Sequence, residues 1–161
     1  MTTRHTTGWV SALLALSVLG LSHGVFAQDQ GHANVIDGVA VYLGVIPAEL
    51  ISEEYPKQAP EHQMHGGVPS GDHWHHVNVA IYNDTTGQRI TNARVVAQVW
   101  SQEEVNLPIQ KKPLEPMSIA GAETYGNYFH MPGTAMYFIK VEIDRPGHTP
   151  IVTTFEYYHR S

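Results

Sequence analysis

The chain of 161 residues sets 9 lysines and arginines against 15 aspartates and glutamates, a formal charge of −6, and contains no cysteine. The acidic balance argues against nucleic acid and anionic membrane as partners and suits a protein attractive to cations. Without cysteine there are no disulfide staples, thiolate metal ligands or thiol nucleophiles, so a soft metal must be held by methionine and histidine.

The first segment reads as an export signal. Arg4 and His5 precede the apolar run "WVSALLALSVLGL" from Trp9 to about Leu21, and "SHGVFAQDQ" then places Val25 and Ala27 at the small-residue positions of a signal-peptidase site. The apolar stretch is short for a bilayer span, which favours a cleaved secretory signal over a retained anchor. Residues 1–27 are therefore expected to be a signal peptide and 28–34 a short tail, with the product in the periplasm. Residues 35–161 suffice for one domain and are too few for two.

The elements that follow are strands. "VIDGVAVYLGVIP" (35–47) is β-branched and ends at a proline. In "HHVNVAIYN" (75–83), Val77, Val79 and Ile81 alternate with His76, Asn78, Ala80 and Tyr82, the mark of a half-buried strand. "DTTGQRI" is turn chemistry, and "NARVVAQVW" (92–100), "AMYFIKVEI" (135–143) and "IVTTFEYYH" (151–159) repeat the alternation. Nothing after the signal shows sustained helical periodicity. Short alternating strands between turns indicate an all-β fold, an immunoglobulin-like antiparallel β-sandwich of about seven strands. The segment 48–72, rich in Pro, Gly, Glu and His, reads as a long loop, and such loops are commonly functional.

Where that loop enters a strand, "HQMHGGVPSGDHWHHV" (62–77) gathers His62, Met64, His65, His73, His75 and His76. Strand residues two apart share a face, so His73 and His75 lie on one side and His76 on the other. His73 and His75 would chelate at the strand's entrance, with His62, Met64 and His65 folding over them. Imidazole suits copper, zinc, nickel and iron, and the Met64 thioether tilts the choice towards copper. The bland alternatives are a solvated His-rich loop, a core His75 satisfied by a carbonyl, and a buried hydrogen-bonding His76. Further on, "KKPLEPMSIAGAETYGNYFHMPG" (111–133) offers Met117 as core filler or soft ligand, and a His130–Met131 pair. Tyr125, Tyr128 and Phe129 read as core packing.

"LEPM…ETYGNYFHMPGTAMYFIKVEIDRPG", after a strand of the "HHVNVAIYN" kind, resembles the small periplasmic Ig-like metal-binding proteins of bacterial iron-uptake operons. "TGQRITNARV" is similar to secreted Ig-like domains of the YtkA and FixH kind. In the iron-uptake family copper is held by a methionine and several histidines, with iron placed close by. By that resemblance Met117 matches the family methionine. Tyr125 is set against the histidine of the family's "HYG" turn and departs from it, and "VAVYLGVIP" lacks the family's histidine and acid ligands. The resemblance thus implies a relocated site supplied by the His62–His76 cluster, taking copper first and iron second. There is no phosphate loop, "GxSxG" or "HExxH", so metal transport, delivery or homeostasis is expected in place of catalysis. The expected partners are the metal ion and a membrane transporter or oxidase, with a homodimer left open. The competing class is an Ig-like accessory module that docks such a partner, its histidines incidental.

Overall fold

The computed structural model describes residues 32–54, 63–119 and 121–160. The signal-peptide segment and His62 lie outside the described residues. Strands β1 (Ala33–Ile36) and β2 (Val39–Pro47) are followed by helix α1 (Ala48–Glu54), then β3 (Trp74–Asn83), β4 (Arg94–Ser101), β5 (Gln110–Ile119), β6 (Ala122–His130), β7 (Ala135–Asp144) and β8 (Ile151–His159). The strands run in the order β1-β2-β3-β6-β5-β4-β7-β8, every neighbouring pair antiparallel. The sandwich expected from the alternation is present, with eight strands in place of about seven.

Two features account for the count. "VIDGVAVYLGVIP" is a hairpin, because Asp37 (φ 49°) and Gly38 (φ 73°) form a two-residue turn with both residues in the left-handed region. Asp-Gly is the dipeptide that adopts this geometry most readily, and its twist matches that of the flanking strands. Strand β5, "QKKPLEPMSI", carries Pro113 and Pro116 and reads poorly as a strand. It pairs with β4 through Gln110–Leu114 and with β6 from Glu115 onward, so it passes from one sheet to the other. A bend between sheets tolerates prolines that a continuous ladder would reject. The far edges approach each other where Asn34 Nδ2 donates to Thr153 Oγ1 at 2.7 Å.

The core lies between the sheets. Val77, Val79 and Ile81 point inward and meet Val41, Phe129, Tyr137, Ile139 and Phe155, all buried. His75 is buried on this inner side of β3, and His76, also buried, is on the other. The segment 48–72 is not irregular throughout. Helix α1 starts directly after Pro47, and Ala48 and Ile51 pack on Tyr128 beside Ile46, Val68 and Trp74. This small apolar cluster lies on the outer face of the β2-β3-β6 sheet, where Tyr128 packs edge-on against His76. Seven residues are too few for a helical period to show in a sequence.

Candidate metal centre

The outer face of β3, β6 and β5 holds the candidate site. His76 pairs with Tyr128, Asn78 with Gly126, Glu115 with Gly126, and Met117 with Thr124. Paired residues of neighbouring strands share a face, so His76, Gly126, Tyr128, Glu115, Met117 and Thr124 form one patch. Gly126 is its floor. A Cβ at this position would lie 2.6 Å from His76 Nε2, from His76 Cε1 and from Met117 Sδ. Both donors therefore crowd the same point above Gly126, as neighbours on one face. Met117 is buried yet belongs to neither apolar cluster, which is unusual for a methionine that merely fills a core.

The segment 63–66 brings the third donor. Met64–Gly66 forms a 3-10 turn closed by Gly67 N–H donating to the Met64 carbonyl at 3.0 Å. His65 takes φ 58° there, followed by Gly66 at 82° and Gly67 at 100°. A left-handed histidine costs about 1–3 kcal/mol, and such positions cluster at functional sites. The turn lays the His65 ring over that of His76, centroids 5.2 Å apart and planes 26° from parallel. The His65 side chain is 1% exposed, and its Nδ1 donates to Glu115 Oε2 at 3.0 Å. A carboxylate only accepts, so Nδ1 is the nitrogen engaged by Glu115 and Nε2 is the one left for another partner.

Both Nε2 atoms, of His65 and His76, are buried without a hydrogen-bond partner among the described residues. An unmet buried nitrogen of this kind costs about 1–3 kcal/mol, so the pair favours a partner such as a metal ion or an ordered water. Burial first, and the neighbouring His65 second, push the His76 pKa down to about 4. His76 is therefore neutral at physiological pH, as a metal ligand must be. Thr124 Oγ1, across from Met117, is likewise buried without a partner. The arrangement offers two imidazole nitrogens and a thioether. Among the described residues no three His, Asp, Glu or Cys side chains are placed to share an ion, and Met117 Sδ is the donor of another kind beside the two imidazoles.

The structure divides the residues singled out in the sequence. His65, His76 and Met117 come together. His75 goes to the inner end of the sandwich, where its ring lies 4.5 Å from that of His159. His73, at φ 67° just before β3, is exposed, and its ring is nearest His130 at 6.3 Å. The left-handed turn at His73 breaks the alternation that would align it with His75, although His73 acts electrostatically on both His75 and His159. Met64 contributes its carbonyl to the turn. Met131 is wholly buried in the core and His130 leans on Trp74. Tyr125 points inward, its hydroxyl accepting from Ala93 N–H at 3.0 Å. The site-facing residues of "TYG" are consequently Thr124 and Gly126. Glu115, Gly126 and His159 escaped the sequence reading. The "Glu-x-Met" spacing of β5 was the available signal for Glu115, but it has meaning only once that stretch is known to be a strand.

The fold is an antiparallel sandwich carrying a histidine–methionine patch on one outer face. No family model and no curated relative matches the sequence. Solved structures do match it in fold. A copper-bound variant of FetP from uropathogenic Escherichia coli strain F11 superposes with a TM-score of 0.60 at 14% identity, over 81% of this chain and 95% of that one. The copper-reconstituted P19 protein of Campylobacter jejuni gives 0.63 at 11% identity, over 80% and 93%. A DUF4426 family protein from Pseudomonas aeruginosa PAO1 gives 0.59 at 15%, over 81% and 96%. At these identities the likeness is one of fold, and at that level it agrees with the resemblance read from "LEPM" and the "TYG" turn.

Proposed function

We propose that this protein is a periplasmic copper-binding protein that acts in metal transport or delivery, not an enzyme. The ligands are His65 Nε2, His76 Nε2 and Met117 Sδ, gathered above Gly126. Glu115 orients His65 from outside the coordination sphere. The observation that carries this reading is the pair of buried, unpartnered imidazole nitrogens beside a buried thioether, over a glycine with no room for a side chain. Two imidazoles and a thioether form a borderline-to-soft donor set, which ranks copper ahead of iron. The copper-bound state of the FetP and P19 structures that share the fold supports the same choice of metal. A membrane transporter or oxidase is the kind of partner to which such a carrier would deliver.

X-ray absorption on protein purified from the periplasm and loaded with copper tests the assignment. A sulfur scatterer in the copper shell is expected, lost in Met117→Leu, with nitrogen scatterers reduced in His76→Ala. A wild-type copper shell without sulfur, or one that keeps its sulfur in Met117→Leu, overturns it. Iron offered in parallel is expected to bind more weakly.

A further inference from the structure

Beyond the far end of β3 the sandwich carries chemistry of the opposite sign to its overall charge. Two turns meet there. In "RPGH", Pro146 and Gly147 (φ 75°) take the corner positions of a turn that His148 N–H closes by donating to the Arg145 carbonyl at 3.1 Å. The alternation that turns Val141 and Ile143 inward carries on to Arg145, one residue past β7, so Arg145 is half-buried while Asp144 is exposed. In "NDTTGQRI", Asn83 Oδ1 accepts from Thr85 N–H at 3.1 Å and from Thr86 N–H at 2.8 Å. That spends the oxygen inside its own turn and leaves the amide Nδ2, a donor, for anything beyond it. Between the turns lies a cavity of about 200 Å³, lined by Asn83, Gln88, Arg89, Asn92, Arg145 and His148.

We infer that this cavity binds a small oxyanion, a phosphate or carboxylate group, with Arg145 as its principal contact. The lining offers two guanidiniums, an imidazole and three amides, and no carboxylate, in a chain whose acids outnumber its bases 15 to 9. The acids next in sequence, Asp84 and Asp144, line other hollows of the surface. Arg89 is already engaged, donating to the Glu123 carbonyl and the Tyr82 hydroxyl with its guanidinium over the Tyr82 ring. It contributes charge more than free donors. Arg145 differs, for it forms no ion pair among the described residues and its Nε is buried without a partner. A guanidinium stays charged, has donors only, and meets an oxyanion through two parallel bonds. Half-buried with its donors unmatched, it favours an anion. The cavity far exceeds the space one water needs and falls short of a drug-sized site, which sets the size of the ligand. Asn83 stands seven strand residues beyond His76, roughly 23 Å at the rise of a strand, so the two sites share no residue.

NMR of the arginine side chains tests this on ¹⁵N-labelled protein purified from the periplasm, in a buffer low in chloride and free of oxyanions. Inorganic phosphate and succinate are added separately. The Arg145 Nε–H resonance, assigned by through-bond correlation, is expected to shift saturably with at least one of them, and the anion that moves it tells phosphate from carboxylate. By calorimetry the affinity for that anion should fall about 10-fold or more in Arg145→Gln. It should stay within about 2-fold in Arg160→Gln, which removes an exposed arginine at the other end of the sandwich. A resonance that neither anion moves, or an equal loss in the two variants, overturns the proposal. Should Arg145→Gln not fold, the wild-type resonance decides alone. No copper is added, so failure of the copper assignment leaves this result interpretable.

Discussion

His75 and His76 are adjacent in sequence and end in different chemistry. His76 faces out of the sheet, meeting a left-handed turn, a methionine from the next strand but one, and a glycine floor. His75 faces the gap between the sheets and meets a histidine from the far end of the chain. The outer site joins three donors of two kinds with a carboxylate behind one of them; the inner pair is two imidazoles packed ring against ring. One peptide step on a strand thus separates a mixed nitrogen–sulfur centre from a pair of core histidines. In a strand the direction of a side chain, not its place in the sequence, decides its neighbours.

That contrast can be broken at its floor. Gly126→Ala adds one methyl group, 2.6 Å from both His76 Nε2 and Met117 Sδ, and removes no ligand. It is expected to weaken copper at the outer site by ~100-fold or more, because metal–ligand distances tolerate only small departures. Isothermal titration of the variant checks this, and an unchanged outer affinity would mean that the donors do not converge above residue 126.

A smaller effect is expected behind the ligands. Glu115→Leu releases His65 Nδ1 from its carboxylate and should lower outer-site affinity by about 10-fold, the lower end of what outer-shell partners usually contribute. The Glu115 side chain is 54% exposed, so thermal stability should hardly move. A loss of copper matched by a loss of thermal stability would point to a global defect.

Protons act on the outer site and the inner pair with the same sign. The folded-state pKa of His76, about 4, lies below the ordinary 6.5, and those of His75 and His159 are also lowered, chiefly by burial. Above pH 6.5 the imidazoles are neutral whether the chain is folded or not. As the pH falls from 6.5 towards 4, the unfolded chain takes up protons that the folded protein refuses, and stability is lost across that window. The melting temperature of the metal-free protein should drop by ~5 °C or more between about pH 7 and about pH 4.5. His76→Asn should flatten the part of that slope owed to the outer site and leave the part owed to the inner pair. A wild-type profile without slope would place these rings in water.

The least change is expected at His73. Its ring is exposed, and although it acts electrostatically on His75 and His159 it contributes no donor to the outer set, so His73→Ala should alter outer-site copper affinity by less than about 2-fold. A larger loss would make His73 part of the outer set.

The strand alternation in 75–83, 92–100, 135–143 and 151–159 was legible because each stretch is buried on one face, and a period of two follows from that alone. It also determined that His75 and His76 part company. The Asp37-Gly38 turn is equally present in the letters, inside the β-branched stretch 35–47. Strand β5 was hidden by its two prolines, whose tolerance depends on a bend between sheets that no local pattern announces. By itself, then, the sequence determined the sandwich class, the inward faces of the alternating strands, and a supply of imidazole and thioether without thiolate. Tertiary structure decided which donors meet. His65 reaches His76 through a left-handed turn, Met117 reaches it across β6, and His159 reaches His75 across the sandwich, a separation of 84 residues. These contacts depend on strand order and register, which come from the packing of the whole core; no single segment encodes them.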